Sequence, residues 1–153
     1  MQKYIINMTK PMHHIDTSVI IESEKTLDGR FCTKYLQKIN YNYESKFSLP
    51  VLGEIMLSLL LLRDSSKRHA FLDFFYGLKA SRKIEIFTPV ENSDVIKRIK
   101  EIDTRIESTD ASIVACAVED KANNLVTLDK KLIGNRSIER EFGLRISHPK
   151  DLI

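Results

Sequence analysis

Four acidic residues lie at positions where α/β proteins usually have their functional residues. Asp16 ends a short strand, Asp110 opens a helix of small residues, and Asp129 closes the strand that follows this helix. Glu54 lies nearly alone in an apolar helix that follows another strand. Because the strands of a parallel sheet direct their carboxyl ends to one edge, we expect these side chains to converge there.

Converging carboxylates favour a metal site. Like charges repel, and the repulsion raises the pKa of at least one carboxyl group unless a cation compensates it. Oxygen ligands with few histidines and no paired cysteines suit Mg²⁺ or Mn²⁺ better than zinc. Such an ion would lower the pKa of a bound water. The pattern therefore predicts a site for Mg²⁺ or Mn²⁺.

Two of these acids have simpler interpretations. Asp16 precedes Thr17 and Ser18 at a strand-to-helix junction, where aspartate is a favoured N-cap. Glu54 could share a narrow solvent-facing stripe with Ser58 and Leu61. If it is buried instead, it needs a partner or a metal, because an uncompensated buried carboxylate costs several kcal/mol.

The elements that would position the acids alternate between strands and helices. This alternation predicts an α/β fold, a three-layer α/β/α sandwich with a central, mainly parallel sheet. After the first strand, ending at Asp16, we expect strands at 47–49, 84–87, 125–128 and 145–147. Helical spacing predicts helices over 27–39, 51–62, 65–80, 92–102 and 110–118. The inward residues predicted for the third and fourth of these helices are Phe71, Leu72, Phe74, Phe75, Leu78, Val95, Ile96 and Ile99.

Length and composition bound the class of protein. The chain of 153 residues fits one domain, 1–153, with residues 1–11 as a peripheral segment. Hydrophobic residues make up 42% and charged residues 29%, values near the globular average that argue against disorder. The net charge of +3 permits contact with nucleic acid but does not require it.

Several classes of protein are disfavoured. Cys32 and Cys116 are too few and too far apart for a disulfide framework or a zinc site. The sequence has no phosphate-binding G-x-x-x-x-G-K-[ST] loop, which argues against a GTPase or kinase. Its N-terminus lacks an apolar signal region, and its apolar run at 55–62 is too short to span a membrane. We therefore expect a cytoplasmic protein without a membrane anchor.

The motifs together resemble a known family. HIDTSVI with Asp16, an isolated Glu54, TDASIVACAV with Asp110 and NLVTLDKKL with Asp129 are similar to the PIN domain. This is a metal-dependent ribonuclease fold that includes VapC-type toxins. The resemblance covers the chain from about residue 12 to its C-terminus.

The resemblance implies a role for each matching residue. Asp16, Glu54 and Asp110 match the core acidic triad, and Asp129 matches the further acid. Bound Mg²⁺ or Mn²⁺ is implied as the cofactor. The remaining candidates, which would position the substrate, are Thr17, Ser18, Thr127, Lys130 and Lys131. The two lysines depart from the family pattern, which often has an aromatic residue near this place.

The implied function is an endoribonuclease acting on RNA, as the toxin of a toxin–antitoxin pair. The expected partners are RNA, an antitoxin protein and a second copy of the chain. The apolar faces of 55–62 and 71–78 would form a homodimer or cover an antitoxin segment. The basic candidates for flanking phosphates are Lys67, Arg68, Arg82, Lys83, Lys97, Arg98, Lys130 and Lys131.

Two alternatives remain open. One is a PIN-like scaffold that binds or helps to process RNA without a toxin role. The other is an aspartate-nucleophile phosphatase, because Asp16 ends a strand. That chemistry usually needs a second aspartate two residues later, where this chain has Ser18.

Overall fold

A five-stranded parallel sheet forms the centre of the fold. The computed structural model describes residues 9–22 and 25–153. The strands run in the order β3-β2-β1-β4-β5, and each neighbouring pair is parallel. Their bounds are Met12–Ile15 (β1), Glu44–Ser48 (β2), Glu85–Phe87 (β3), Asn124–Val126 (β4) and Arg145–Ser147 (β5). The predicted α/β class with a mainly parallel sheet is confirmed.

Helices connect the strands. Their bounds are Thr17–Ile21 (α1), Leu27–Gln37 (α2), Leu49–Leu61 (α3), Ser65–Ala80 (α4), Ser93–Ile102 (α5), Ser108–Glu119 (α6) and Arg136–Phe142 (α7), with a final 3₁₀ turn at Pro149–Leu152. Within the described ranges, no helix is both long enough and apolar enough to cross a membrane. Most of the peripheral segment predicted at residues 1–11 lies outside the described residues. Residues 9 and 10, which precede β1, are exposed.

Two adjacent histidines of β1 show that helices cover both faces of the sheet. Successive side chains of a strand point to opposite faces. The His13 ring lies 2.8 Å from the Tyr35 hydroxyl of α2. The His14 ring lies 2.7 Å from Asp120, which ends α6 on the other face. The predicted three layers are therefore present.

Completely buried residues lie on α6 and on the neighbouring strand β4. Ala111, Ala115 and Ala117 of this helix are completely buried, and so are Leu125 and Val126 of β4. Small side chains let a helix lie close to a sheet, because little volume separates the two backbones. The close approach holds the first turn of α6, with Asp110, against the carboxyl edge.

Some element boundaries differ from the predictions. The strand predicted at 47–49 is β2, which ends at Ser48, and α3 begins at Leu49 because Pro50 fits a first helical turn. The strand predicted at 125–128 ends at Val126, the last residue paired with β1 and β5. Asp129 therefore lies in the loop beyond the strand and does not close it.

The prediction of buried aromatic residues on α4 is only partly correct. Phe74 is 42% exposed, and no residue of α4 is fully buried. Phe71 and Leu78 are partly buried and line a groove of about 480 Å³ with residues of α1 and α2. The helix thus faces an open groove and is not packed tightly over the sheet. Val95 and Ile96 of α5 are also only partly buried, whereas Ile99 is fully buried.

The buried His13 makes stability depend on pH. Burial lowers its pKa from 6.5 to about 4. Between these values the unfolded chain binds a proton that the folded chain does not, so stability should fall as the pH falls from about 6.5 to about 4. The loss should be at most roughly 3 kcal/mol. Urea unfolding at several pH values measures it.

The control is a pair of matched substitutions. His13→Phe keeps an aromatic ring beside Tyr43, whose ring centroid lies 4.4 Å from that of His13. It should reduce the dependence on pH and leave the part due to His14, whose pKa burial also lowers. His69→Phe on the exposed side of α4 should not change the dependence. An unchanged slope in His13→Phe would show that other groups cause the acid sensitivity.

Candidate functional site

The structure brings the four predicted acids together. Asp16 directly follows β1, Glu54 lies on α3, Asp110 lies in the first turn of α6, and Asp129 lies in the loop after β4. All four line one open cavity of about 740 Å³, which we call the acid cavity. The expected convergence at the carboxyl edge of the sheet is therefore present.

Two hydroxyl groups orient the carboxylate of Asp16. The Ser18 hydroxyl donates to its Oδ2 at 2.7 Å, and the Thr127 hydroxyl donates to the same atom at 2.8 Å. Asp16 does occupy the N-cap position of α1, but its side chain makes no capping hydrogen bond to that helix. The simple N-cap interpretation therefore gives the backbone position correctly but does not account for the side chain.

Glu54 faces the acid cavity together with Ser58, one turn later on α3. Its Oε2 accepts a hydrogen bond from the Thr17 hydroxyl. Leu61, the third member of the proposed solvent stripe, points away from the cavity lining and is exposed. The solvent-stripe interpretation therefore holds for Glu54 and Ser58 but not for Leu61. The opening that Glu54 faces is a cavity shared with three other predicted carboxylates.

The loop after β4 is fixed by the same hydroxyl groups. The backbone N–H of Leu128 donates to the Ser18 hydroxyl at 3.0 Å, and that of Asp129 donates to the Thr127 hydroxyl at 3.0 Å. The N–H of Lys131 donates to Oδ1 of Asp129 at 2.8 Å. Three of the predicted substrate-positioning residues, Thr17, Ser18 and Thr127, therefore bind the carboxylates or the loop that carries one of them. Their binding to substrate stays a prediction.

Burial and repulsion within the acid cavity both raise the pKa of Asp110. Its pKa is raised to about 6, mainly by burial and then by the charges of Asp129 and Asp16, with a smaller effect of Glu54. The basic group of the described residues that opposes the shift is Lys131, whose Nζ lies 3.9 Å from Oδ2 of Asp110. The cavity therefore holds more negative charge than its protein partners neutralise.

The ligand chemistry fits a hard divalent cation. As the side chains stand, no three histidine, cysteine, aspartate or glutamate residues in ranges 9–22 and 25–153 form a closed group around an ion. The described residues that line the acid cavity nevertheless include the four predicted carboxylates, and none of them offers sulfur or imidazole. Such oxygen donors are those that Mg²⁺ and Mn²⁺ prefer. A cation would also remove the repulsion that raises the pKa of Asp110.

Part of the cavity wall does not follow from the acidic motifs. Glu22, which follows α1, adds a fifth carboxylate to the lining, and Ile21, Leu57 and Leu128 add apolar surface. Glu22 lies six residues after Asp16, and nothing in its local sequence marks it. It lies at the C-cap of the short helix α1, which begins directly after Asp16.

Removal of one charge should relieve the repulsion. Asp129→Asn keeps the oxygen that accepts from the N–H of Lys131 but loses the negative charge. We expect the pKa of Asp110 to fall below about 6 and metal-free stability at pH 7 to rise by roughly 0.5–2 kcal/mol. Carboxyl NMR titration in EDTA and thermal unfolding measure the two effects.

Asp73→Asn, on the exposed side of α4, is the control. It removes one charge far from the acid cavity and should leave the titration of Asp110 unchanged. If Asp129→Asn left that titration where it is in the wild type, the four carboxylates would not be electrostatically coupled.

Comparisons with known proteins find relatives by structure alone. No family model and no curated protein matches the sequence. The solved structure of FitAcB from Neisseria gonorrhoeae is 18% identical with a TM-score of 0.67, covering 90% of this chain and 98% of that chain. VapBC2 from Rickettsia felis, bound to a DNA fragment from their promoter, is 17% identical with a TM-score of 0.66 and the same coverage, 90% and 98%.

A third structure agrees with these two. VapBC-1 from nontypeable Haemophilus influenzae is 12% identical with a TM-score of 0.62, and the match covers 90% of this chain and 98% of that chain. VapBC and FitAB are toxin–antitoxin complexes that contain a PIN domain. At such low identities the likeness is one of fold. It confirms the fold that the resemblance of the acidic motifs implied, and the chain has a PIN-like fold.

Proposed function

We propose that this chain is a Mg²⁺- or Mn²⁺-dependent endoribonuclease and the toxin of a toxin–antitoxin pair. The observation that carries the proposal is the acid cavity, where Asp16, Glu54, Asp110 and Asp129 meet from four separate segments. Holding four carboxylates at one opening costs stability, and metal binding is the function that uses them. The fold shared with toxin–antitoxin complexes supports the toxin role and, with it, a cytoplasmic location.

In the proposed mechanism the chain's residues hold and orient the reacting groups. Asp16, Glu54 and Asp110 would bind the primary ion, and Asp129 would bind a second ion or its water. When bound, the cation supplies a water of lowered pKa and neutralises charge on the departing 3′ oxygen. Ser18 and Thr127 keep the Asp16 carboxylate in place, and Thr17 does the same for Glu54. No side chain needs to act as a nucleophile.

The hydrogen bonds around Asp16 argue against the phosphatase alternative. In that chemistry, the position two residues after the nucleophile carries a carboxylic acid that donates a proton to the leaving group. Here the position is Ser18, and its hydroxyl already donates to Asp16 at 2.7 Å. Asp16 is therefore better placed to bind a cation than to attack phosphorus.

Loss of one ligand should abolish the reaction. We expect Asp16→Asn or Asp110→Asn to reduce Mg²⁺- or Mn²⁺-dependent cleavage of single-stranded RNA by roughly two orders of magnitude or more, because each removes charge stabilisation at the reacting phosphate. Gel analysis of a labelled RNA measures the cleavage, and circular dichroism checks the fold.

The matched control is Asp73→Asn, which should cleave at the wild-type rate. Undiminished wild-type cleavage in excess EDTA would rule out the metal mechanism. RNA that is bound but never cleaved by the wild type would favour the alternative, a PIN-like scaffold for RNA.

Two apolar surfaces support the proposed protein partners. On α3, Met56 and Leu57 are each 58% exposed, Leu60 is 79% exposed and Leu61 is 73% exposed. So large a group of exposed aliphatic side chains usually marks an interface. Because the surface of one helix can pair with its own copy around a two-fold axis, we propose a homodimer here.

The groove of about 480 Å³ between α4 and the helices α1 and α2 has a different shape. It is concave, and its apolar lining includes Val19, Leu36, Phe71 and Leu78. An amphipathic segment of another protein can place its apolar face in such a groove. We therefore propose that an antitoxin binds here. The complexes with a similar fold support an antitoxin as a partner.

Charges on the exposed face of α3 should break the homodimer. We expect the wild type to be a dimer and the double variant Leu60→Glu, Leu61→Glu to be a monomer, because two carboxylates cannot be buried in an apolar interface. Light scattering coupled to size-exclusion chromatography measures the mass.

Val90→Glu is the control, because Val90 is exposed but lies away from α3. It should leave the mass unchanged. A wild-type protein that stays monomeric at high concentration would disprove the homodimer without affecting the nuclease proposal.

A further inference from the structure

A second cavity lies beside the acid cavity and has the opposite charge. It has a volume of about 420 Å³ and lies between the end of α5, the loop after β4 and the start of α7. Four basic side chains and one acidic side chain line it: Arg105, Lys130, Lys131, Arg136 and Asp103. We call it the basic cavity.

The single acid of the basic cavity is already neutralised. Arg105 donates to both carboxylate oxygens of Asp103, at 2.9 and 2.7 Å. Lys130 and Arg136 are exposed, and neither forms an ion pair with another residue of the described ranges. The cavity therefore carries uncompensated positive charge.

The backbone that carries these cations is well ordered by hydrogen bonds. The carbonyl of Asp129 accepts from the N–H groups of Leu132 at 3.1 Å and Ile133 at 3.0 Å. The Asn135 side chain donates to Asp103 at 3.1 Å, which ties this loop to the residue that holds Arg105. The buried Leu132 anchors the middle of the loop. A preorganised site loses less entropy on binding than mobile surface lysines would.

Lys131 connects the two cavities. Its side chain lines the basic cavity, and its Nζ lies 3.9 Å from Asp110 in the acid cavity. Its backbone N–H also binds Asp129. A polyanion with one phosphate at the acids would therefore extend directly over a surface of positive charge.

We propose that the basic cavity binds a phosphodiester group of single-stranded RNA next to the phosphate that is cleaved, with Lys130 and Arg136 as the principal contacts. The inference rests on the proposed function, because it assumes that RNA enters the acid cavity. It adds Arg136 and Arg105, which the motifs did not identify, to the surface that positions the substrate. Contacts of this kind fix register and affinity without reading sequence.

Three other basic candidates are less suitable as contacts for the neighbouring phosphate. Arg98 is paired with Glu101 and Glu141, at 3.5 and 3.0 Å. Lys83 lines the apolar groove, and Lys67 lies on the exposed side of α4. None of these three side chains lines the acid or the basic cavity.

The test compares substrates of two lengths. We expect the double variant Lys130→Gln, Arg136→Gln to raise the KM for a labelled single-stranded RNA of about ten nucleotides by roughly tenfold, with kcat changed less than twofold. A dinucleotide spans only the cleaved bond, so its kcat/KM should be the same for the variant and the wild type. Fluorescence anisotropy in EDTA measures RNA binding without cleavage. The slope of log K against log salt concentration should be less steep by about 0.7 for each phosphate that the variant no longer neutralises.

Lys34→Gln, Lys79→Gln is the matched control, because it removes two positive charges at exposed positions that line neither cavity. If the control raised the KM as much, the effect would come from net charge and the localised site would be wrong. An unchanged KM for the long RNA, or an equal loss with the dinucleotide, would also disprove the site while leaving the nuclease intact. A wild type that cleaves no RNA would overturn the proposed function, and this inference with it.

Discussion

Repulsion between carboxylates at one edge of the sheet is the constraint that shapes the site. Desolvation and the charges of its neighbours raise the pKa of Asp110 to about 6. The fold tolerates this cost because the acids are attached to elements that cannot separate. Asp110 begins a helix whose alanines are completely buried against the sheet, and Asp16 directly follows the central strand of that sheet. The packed core thus keeps the carboxylates close together despite their repulsion, which a bound cation would relieve.

Hydrogen bonds from hydroxyl groups hold the carboxylates of this site in fixed orientations. Ser18 and Thr127 share one oxygen of Asp16, and Thr17 holds Glu54. Ser18 and Thr127 also accept backbone N–H groups of the loop that carries Asp129. One small network therefore joins Asp16 to the loop of Asp129, and a separate hydrogen bond holds Glu54. Carboxylates held in this way need little rearrangement when a ligand binds.

The acidic motifs could be recognised from sequence because each lies at a fixed place in a repeating pattern. Asp16 and Asp129 follow strands, and parallel strands end at one edge, so their convergence follows from topology. Phe74 shows the limit of such reasoning: helical spacing predicts which residues share a face but not whether a neighbour covers that face. Arg105 and Arg136 are thirty-one positions apart, and only the packing of α5 against α7 brings them to one cavity.

Helix α3 borders the acid cavity on one side and carries exposed leucines on the other. The helix carries Glu54 and Leu57 on the wall of the acid cavity, and Leu60 and Leu61 on its exposed side. A helix moves as one body, so a tilt caused at the outer leucines would displace the Glu54 carboxylate as well. Substitutions that adapt the outer face to a new neighbour are therefore restricted to those that preserve the tilt of the helix. The wall of the acid cavity and the exposed apolar face are therefore coupled through these thirteen residues.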